Sequence, residues 1–480
     1  MEKTNVWNSY TEDQRRELEC LSKDYRAFLD VGKTERECVK EAVRLARAAG
    51  YADLKEIMEK GVTLRAGDKV YAVCMNKSIA LFVLGTEPMR QGMRILGAHI
   101  DSPRLDIKQN PLYEDTEMAY LDTHYYGGVK KYQWVTIPLA LHGVVIKKDG
   151  TAVDVCIGED EADPVLCVTD LLIHLASEQM EKKASLVIEG ENLDVLIGSR
   201  PCGDAASSSE EKADQDAAAK KAGEDQDKKD KVKAGILGIL KENYGIEEED
   251  FLSAELEVVP AGKARDCGLD RSMILSYGHD DRVCGYTSLA ALLETEDPKY
   301  TCCCLLVDKE EIGSVGATGM QSRFFENTVA ELMNCMGQYQ ELDLRRCLAN
   351  SRMLSSDVSA AYDPLYASAF EKKNAAYFGK GLVFNKFTGS RGKSNSNDAN
   401  AEYLAWVRNV MDEAGVAWQT AELGRVDLGG GGTIAYISAL YGMEVVDSGV
   451  AVLSMHAPME VVSKADVYEA KKGYAAFLKG

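Results

Sequence analysis

The stretch Asp308-Lys309-Glu310-Glu311-Ile312-Gly313 offers the clearest chemistry, because two adjacent glutamates follow an apolar run. The run Cys302–Val307 has the length and composition of a buried strand, so both carboxylates are expected where that strand leaves the core. Such a pair can divide the work of hydrolysis, with one carboxylate binding a metal ion and the other acting as general base. Taken alone, the pair is more typical of a solvated turn.

Four further predicted strands end in a possible metal ligand, namely His99, Asp280, Asp357 and His456. Each has an ordinary explanation alone, since a histidine can be a structural hydrogen-bonding residue and an aspartate can cap a helix or lie in a turn. In open α/β sheets, however, ligands bind outside the carboxyl ends of strands. Imidazole and carboxylate without thiolate is the ligand set of hydrolytic zinc, cobalt or manganese sites. Two histidines and three carboxylates suffice for two ions about 3.5–4 Å apart.

The segments that must position these residues alternate between strand-like and helical patterns and predict an α/β protein. The first 50 residues have helical patterns, and Thr34-Glu35-Arg36-Glu37 has the sequence of a capping box. Residues 110–265 interrupt the α/β pattern, and within them the low-complexity segment 203–233 predicts a flexible surface loop. We therefore expect a catalytic domain formed by residues 1–109 and 266–480, with a mainly β domain inserted at 110–265.

Composition narrows the class of protein. A chain of 480 residues exceeds what one core usually serves, and its net charge of −21 argues against nucleic acid and anionic membranes as partners. The apolar runs are too short to span a bilayer, and the first residues lack the features of a signal peptide. Thirteen cysteines without disulfide-framework or Cys-x-x-Cys spacing favour reduced thiols in the cytoplasm.

Taken together, the motifs resemble the aspartyl aminopeptidase/aminopeptidase I family of dinuclear zinc exopeptidases. The resemblance covers nearly the whole chain in order and includes Tyr126-Gly127-Gly128 and Gly431-Gly432-Thr433-Ile434. It is carried by His99-Ile100-Asp101-Ser102-Pro103, Asp280-Asp281-Arg282, the Asp308 to Ser314 stretch, Ser356-Asp357 and Leu453-Ser454-Met455-His456. The implied fold is a mixed-sheet α/β catalytic domain of the zinc exopeptidase type with an inserted, mainly β dimerisation domain.

The resemblance also implies a role for each site residue. Glu310 is the implied general base, which takes a proton from a water bridging two metal ions and passes it to the leaving amine. Asp101 is implied to orient the His99 ring. The ions are implied to be zinc, with cobalt or manganese compatible. The implied ligands are Asp280 between the two ions, Glu311 and His456 at one ion, and His99 and Asp357 at the other.

Substrate binding and assembly are implied in the same way. The inserted domain is expected to pair subunits within a tetrahedral dodecamer that admits only short or unfolded peptides. His174 best matches a histidine that reaches a neighbour's site, although on an apolar helix it could equally be a core residue. Gly431 and Gly432 are expected to contact substrate. Lys386 could select acidic amino-terminal residues, but the stretch 390–397 departs from the family pattern and leaves a neutral or broad preference equally open.

The predicted function is therefore a cytoplasmic dinuclear metal aminopeptidase that removes single residues from the amino termini of peptides. One alternative keeps both metals but cleaves another amide, as a deacylase or dipeptidase. Another is an inactive relative that serves as scaffold or cargo, whose signature would be a lost base or ligand. None of these residues is missing here. His279 matches no role and stays unassigned.

Overall fold

The computed structural model describes residues 4–202, 230–389 and 391–480. It divides into two compact units, one formed by the chain up to Ser102 together with Lys263–Gly480 and the other lying between Pro103 and Gly262. The first boundary lies before the predicted one because the strand Arg104–Asp115 already pairs within the second unit. The second lies before the predicted one because the strand Arg265–Cys267 already pairs within the first unit. Most of the predicted loop 203–233 lies outside the described residues, but its last residues begin the helix Lys231–Tyr244 instead.

The strands of the described residues form three sheets. In chain order they are β1 (Ala52–Asp53), β2 (Lys69–Cys74), β3 (Ser78–Val83), β4 (Arg94–His99), β5 (Arg104–Asp115), β6 (Met118–Tyr126), β7 (Leu139–Ile146), β8 (Ala152–Ile157), β9 (Val195–Gly198), β10 (Ala254–Pro260), β11 (Arg265–Cys267), β12 (Met273–Ser276), β13 (Cys302–Val307), β14 (Arg352–Ser356), β15 (Ser359–Ala360), β16 (Leu382–Asn385), β17 (Trp418–Thr420), β18 (Glu444–Gly449), β19 (Ala451–Leu453) and β20 (Glu460–Ser463).

Two of the sheets belong to the first unit. A mixed nine-stranded sheet has the order β1-β2-β3-β13-β4-β14-β18-β16-β17, and a small sheet has the order β11-β12-β20-β19-β15. The second unit contains an antiparallel six-stranded sheet in the order β8-β7-β10-β5-β6-β9. The mixed sheets and the helices around them confirm the predicted α/β class, and the second unit is mainly β.

Most of the helices belong to the first unit. The predicted capping box is confirmed, because the Glu37 N–H donates to Thr34 Oγ1 at 3.3 Å and the Thr34 N–H donates to Glu37 Oε2 at 3.1 Å. None of the described helices combines the length and the apolar composition that a membrane-spanning segment requires. The helices are Glu12–Val31, Glu35–Ala48, Leu54–Lys60, Ser177–Met180, Lys231–Tyr244, His279–Leu293, Phe324–Cys335, Glu341–Ala349, Ala401–Glu413, Ala435–Ala439 and Lys464–Lys479.

Strand β13 lies at the centre of the first unit and is buried on both faces. Its side chains alternate between two apolar cores, so that Cys304 and Leu306 pack on one side while Cys303 and Leu305 pack on the other. Strands β13, β4, β14 and β18 are parallel. Their carboxyl ends therefore meet at one edge of the sheet, and the polar residues that follow them are brought together there.

Candidate metal centre

Five side chains at this edge form two overlapping groups that could each hold a metal ion. His99, Asp280 and Asp357 make up one group, and Asp280, Glu311 and His456 make up the other. Within each group the ligand atoms lie within 4.8 Å of one another. Asp280 belongs to both groups, since its Oδ1 lies 3.2 Å from His99 Nε2 and its Oδ2 lies 3.2 Å from His456 Nε2. The structure thus brings together all five predicted ligands.

The ends of the elements explain how these residues converge. His99 is the last residue of β4 and pairs in register with Val307, after which Glu310–Ile312 forms a single 3₁₀ turn. Asp357 follows β14, and its N–H donates to the carbonyl of Ser448 in β18 at 2.9 Å. A side chain at Gly449 would collide with the Asp357 carbonyl, because a Cβ there would lie 1.8 Å from that oxygen. A glycine is therefore needed to let Asp357 approach the sheet.

Asp101 connects the ends of β4 and β13. Its carboxylate accepts the backbone N–H of Glu310 at 3.1 Å and that of Glu311 at 3.2 Å. His99 Nδ1 lies 3.0 Å from the Asp101 carbonyl oxygen and 3.4 Å from its carboxylate. The predicted role of orienting His99 therefore falls first to the Asp101 carbonyl, and the carboxylate also fixes the backbone of the glutamate pair.

Glu460 makes an equivalent connection that the sequence did not reveal. Its carboxylate accepts the N–H of Asp280 at 3.0 Å and the N–H of His456 at 2.7 Å, and the residue is 1 % exposed. It therefore ties the segment that carries Asp280, which belongs to both groups, to the segment that carries His456, which belongs to one. The only signal in the sequence is its position four residues after His456, which equally suits an ordinary residue at the start of β20.

The site concentrates buried negative charge. Burial raises the pKa of Glu311 and Asp357 well above their ordinary values, that of Glu310 to about 7 and that of Glu460 to about 8. Carboxylates held this way are stabilised when a cation is present, because an unpaired buried charge is costly.

Asp280 and His99 differ from these carboxylates, because the shifts of their pKa values favour the charged form of each group. Burial raises the pKa of Asp280, but the imidazoles of His456 and His99 outweigh burial and hold that pKa well below its ordinary value. Burial lowers the pKa of His99, but the carboxylates of Asp101 and Asp280 outweigh burial and raise it well above its ordinary value. The Asp280 carboxyl is therefore held ionised, unlike the buried carboxyls of Glu310, Glu311 and Asp357.

A cavity of about 480 Å³ opens onto both groups. Gly431 and Gly432, which were predicted to contact substrate, line it, and a side chain added at either position would meet no atom within 4 Å.

Lys386, which was predicted to bind an acidic substrate, does not line this cavity. It is exposed and lines a separate cavity of about 410 Å³ with Phe384. Neighbouring residues of an extended chain point to opposite sides, and here Asn385 takes the side of the site.

The remaining predicted histidines lie elsewhere. His174 is exposed on the 3₁₀ turn Ile173–Leu175 of the second unit, so the alternative of a core residue on a helix is wrong. His279 is fully buried, with its Nδ1 2.7 Å from the Tyr25 hydroxyl and its Nε2 3.2 Å from the Ile274 carbonyl. Burial lowers its pKa to about 3, so it is a neutral structural residue.

The donor set fits zinc or a similar hydrolytic metal. Imidazole nitrogens and carboxylate oxygens are its usual ligands in catalytic sites, and open positions toward a cavity are typical of such sites. Glu311 Oε1 is buried and accepts no hydrogen bond from any residue that the structure describes. A mixed α/β fold with these groups gathered at the carboxyl ends of its strands defines a metal-dependent hydrolase.

Comparison with known proteins gives the family. The family model described as aminopeptidase I zinc metalloprotease (M18) matches residues 28–478, and the chain belongs to that family. It is 59% identical over 474 residues to a probable M18 family aminopeptidase 1 of Clostridium acetobutylicum, covering 99% of this chain and 97% of that protein. This finding confirms the predicted metal-dependent aminopeptidase with a zinc-type cofactor.

Solved structures of relatives have the same fold. The crystal structure of an M18 aminopeptidase from Thermotoga maritima superposes with a TM-score of 0.90 at 42% identity and covers 100% of this chain and 99% of its own. The crystal structure of aminopeptidase I from Clostridium acetobutylicum superposes with a TM-score of 0.89 at 57% identity and covers 100% of both chains. The mApe1 dodecamer of S. cerevisiae shares the fold at 20% identity, with a TM-score of 0.73 and coverage of 95% and 96%.

Proposed function

We propose that the aminopeptidase site holds two divalent ions, most suitably zinc, which share Asp280. The observation that carries this proposal is that each oxygen of the Asp280 carboxylate lies 3.2 Å from the Nε2 of a different histidine. His99 and Asp357 would complete one ion's ligands, and Glu311 and His456 the other's. When bound, a pair of ions supplies Lewis-acid activation of the scissile carbonyl and of the attacking water.

In this proposal Glu310 is the general base. It belongs to neither ligand group, yet its carboxylate lines the cavity and its Oε2 lies 4.0 Å from His99 Nε2. Burial raises its pKa to about 7, which suits a group that must accept and release a proton near neutrality. Glu310 would take the proton of the attacking water and deliver it to the leaving amine of a peptide whose first residue occupies the cavity.

Metal analysis and a substrate panel test the proposal together. The purified protein is expected to bind two divalent ions per chain and to release single amino-terminal residues from peptides and aminoacyl reporters. A fully active protein that binds only one ion per chain would contradict the proposal that two ions share Asp280. Turnover restricted to acylated amino acids or to dipeptides would favour the deacylase or dipeptidase alternatives. Metal binding without turnover of any substrate would favour the inactive scaffold.

We also propose that the second unit pairs subunits, within a tetrahedral dodecamer. The support is an exposed apolar run around His174, in which Leu172, Ile173 and Leu175 are 53, 65 and 68% exposed. Exposed apolar runs of this kind mark interaction sites. The S. cerevisiae relative is itself described as a dodecamer. His174 would then reach a neighbouring subunit's site and steady the oxyanion of the reaction.

Sedimentation and kinetics test the assembly. A mass of twelve chains is expected for the wild type, and Leu175→Glu is expected to release smaller species. His174→Gln should retain the full mass but lower kcat by about a hundredfold, the scale of losing one oxyanion donor. A monomeric wild-type protein with full activity would contradict the proposal.

A cytoplasmic location is the last part of the proposal. All thirteen cysteines fall within the described ranges and all are unpaired, as expected in a reducing compartment. Thiol titration of the denatured protein isolated from its own cells should find every cysteine reduced. A stable disulfide in that sample would argue for an oxidising compartment instead.

A further inference from the structure

Part of the cavity wall lies outside both candidate metal groups and is made of buried hydrogen-bond acceptors. Asp447 and Asn385 line the cavity and are only 1% and 5% exposed. They are direct partners in the antiparallel pairing of β18 with β16, so their side chains project from the same face of the sheet. The cavity therefore has a floor in which a carboxylate and an amide lie side by side.

Both side chains keep an unused acceptor. Thr433 Oγ1 donates to Asp447 Oδ1 at 2.5 Å, but Asp447 Oδ2 has no donor among the described residues. Asn385 Nδ2 donates to Ser359 Oγ at 2.8 Å, and its Oδ1 likewise has no donor there. A buried acceptor without a donor is costly, and most such atoms in proteins are satisfied by a partner, a water or a ligand.

The charge of the cavity shows which ligands would suit these acceptors. Among the described lining residues there is no lysine or arginine, since Lys386 faces the other cavity. Bound metal ions would compensate the negative charge of the carboxylates in the two candidate metal groups. Asp447 belongs to neither group, so its charge would not be compensated in this way. An acidic substrate side chain would therefore meet a like charge at Asp447, whereas a side chain that donates hydrogen bonds would satisfy it.

The position of Asp447 favours a long side chain. In the parallel pairing of β14 with β18, Asp447 is level with Ser355, two residues before Asp357. Two residues of a strand correspond to about 6–7 Å, so Asp447 lies that far below the edge at which the candidate ligands gather. An amino-terminal residue bound at that edge would reach Asp447 with a side chain several bonds long.

We propose that Asp447, with Asn385 beside it, is the specificity residue of a subsite for basic amino-terminal side chains, so that lysine and arginine are favoured and aspartate and glutamate are rejected. This inference rests on the proposed two-metal aminopeptidase site and adds the class of its substrate. It replaces the open question of an acidic, neutral or broad preference with a basic one.

Asp447→Asn tests the subsite with little change of shape, because the amide oxygen can still accept from Thr433. The experiment compares kcat/KM of the metal-loaded protein on reporters with amino-terminal Lys, Arg, Met, Leu, Asp and Glu. A pH of about 8 keeps the carboxylate ionised, since burial raises the pKa of Asp447 to about 7. Wild type should prefer Lys to Met by about tenfold or more, the scale of one charge-assisted hydrogen bond. Asp447→Asn should remove that preference and leave Met turnover within about threefold.

A matched control is Asp427→Asn, which removes one exposed carboxylate that does not line the cavity. This variant should keep the wild-type ratio of Lys to Met turnover. A wild-type preference for Asp or Glu would overturn the inference, as would an Asp447→Asn variant that loses activity equally on all reporters. Turnover of Leu and Met with no preference for Lys would overturn the inference alone and leave the proposed function standing.

A binding measurement keeps the inference testable if no reporter is turned over, which would count against the proposed function. Free lysine, methionine and glutamate are titrated into the metal-loaded protein and detected by calorimetry. Lysine should bind most tightly to the wild type. Asp447→Asn should lower the affinity for lysine about tenfold without lowering the affinity for methionine. Equal binding of lysine and glutamate by the wild type would overturn the subsite.

Discussion

The carboxylate of Asp101 holds the backbone of Glu310, whose N–H it accepts at 3.1 Å, and it accepts the N–H of the next residue at 3.2 Å. Asp101 follows His99 at the end of β4, whereas the glutamates follow β13. The carboxylate therefore couples a candidate ligand on one strand to the proposed base and another candidate ligand on the neighbouring strand. The spacing of the centre depends on this contact as well as on the sheet.

Asp101→Asn should weaken metal binding and catalysis. The two carboxylate oxygens of Asp101 each accept one backbone N–H, and an asparagine has only one oxygen that can accept. We expect a loss of about 10–100-fold in metal affinity or in kcat/KM, the usual range for such supporting residues. Competition with a chelator and steady-state kinetics measure the two quantities. Asp308→Asn is the control, since the buried Asp308 carboxylate accepts from Thr318 and Lys309 and not from the glutamates. Equal losses in both variants would reduce Asp101 to a residue of general stability.

Glu310→Gln and Glu311→Gln should separate the two glutamates. Glu310→Gln should keep its full metal content and lose at least about a hundredfold in kcat, the scale of a general base. Glu311→Gln should lose metal, because an amide is a poor replacement for an ionised ligand. Metal analysis of both variants, alongside kinetics, decides the matter. Metal loss in Glu310→Gln with retention in Glu311→Gln would mean that the two roles are exchanged.

Asp280→Ala should release both ions, whereas His99→Ala and His456→Ala should each weaken one group first. The reason is that Asp280 alone belongs to both groups of possible ligands among the described residues. Stoichiometric titration with zinc, followed by elemental analysis after dialysis, measures the occupancy. Full occupancy of Asp280→Ala would rule out the shared ligand, and loss of one ion alone would place Asp280 in one group only.

The positions of the candidate ligands were predictable because each follows a strand-like run, and their convergence was predicted only through the rule that ligands bind at the carboxyl ends of strands and through the family resemblance. A buried strand such as β13 is visible as an apolar run, and the residue type that follows it can be read directly. Which side of a strand a side chain takes is visible only when apolar and polar residues alternate. Strand β16 is buried throughout, so nothing in its sequence showed that Asn385 and not Lys386 faces the cavity.

Contacts between distant segments were not predictable. Glu460 and Asp447 are ordinary strand residues until β20 is placed beside β12, and β18 beside β14 and β16. The exposure of His174 could not be predicted either, because an apolar run beside a histidine is compatible with a core or with an interface. In each case the missing quantity was the tertiary position of a strand or turn and not its secondary structure.

Asp466 gives a prediction about stability that is independent of the metal centre. Its carboxylate is fully buried and accepts the N–H groups of Gly379 and Gly381 at 2.8 and 2.7 Å. Burial outweighs these hydrogen bonds and raises its pKa from 3.8 to about 7. Between these two values the folded protein keeps a proton that the unfolded chain releases. The contribution of Asp466 to stability is therefore greatest at acid pH and falls as the pH rises to about 7, above which it is constant.

Comparison with Asp466→Asn isolates this contribution, because the amide does not titrate. The stability of the metal-free wild type relative to Asp466→Asn should fall as the pH rises from about 5 to about 7, by at most about 1.4 kcal/mol per pH unit. Denaturant unfolding of both proteins at matched pH values measures the difference, which cancels the titration of the other carboxylates. Asp427→Asn, at an exposed position, should follow the wild type at every pH. A relative stability of Asp466→Asn that is independent of pH would mean that the buried carboxyl of Asp466 keeps its ordinary pKa, stabilised as an anion by the two glycine N–H groups.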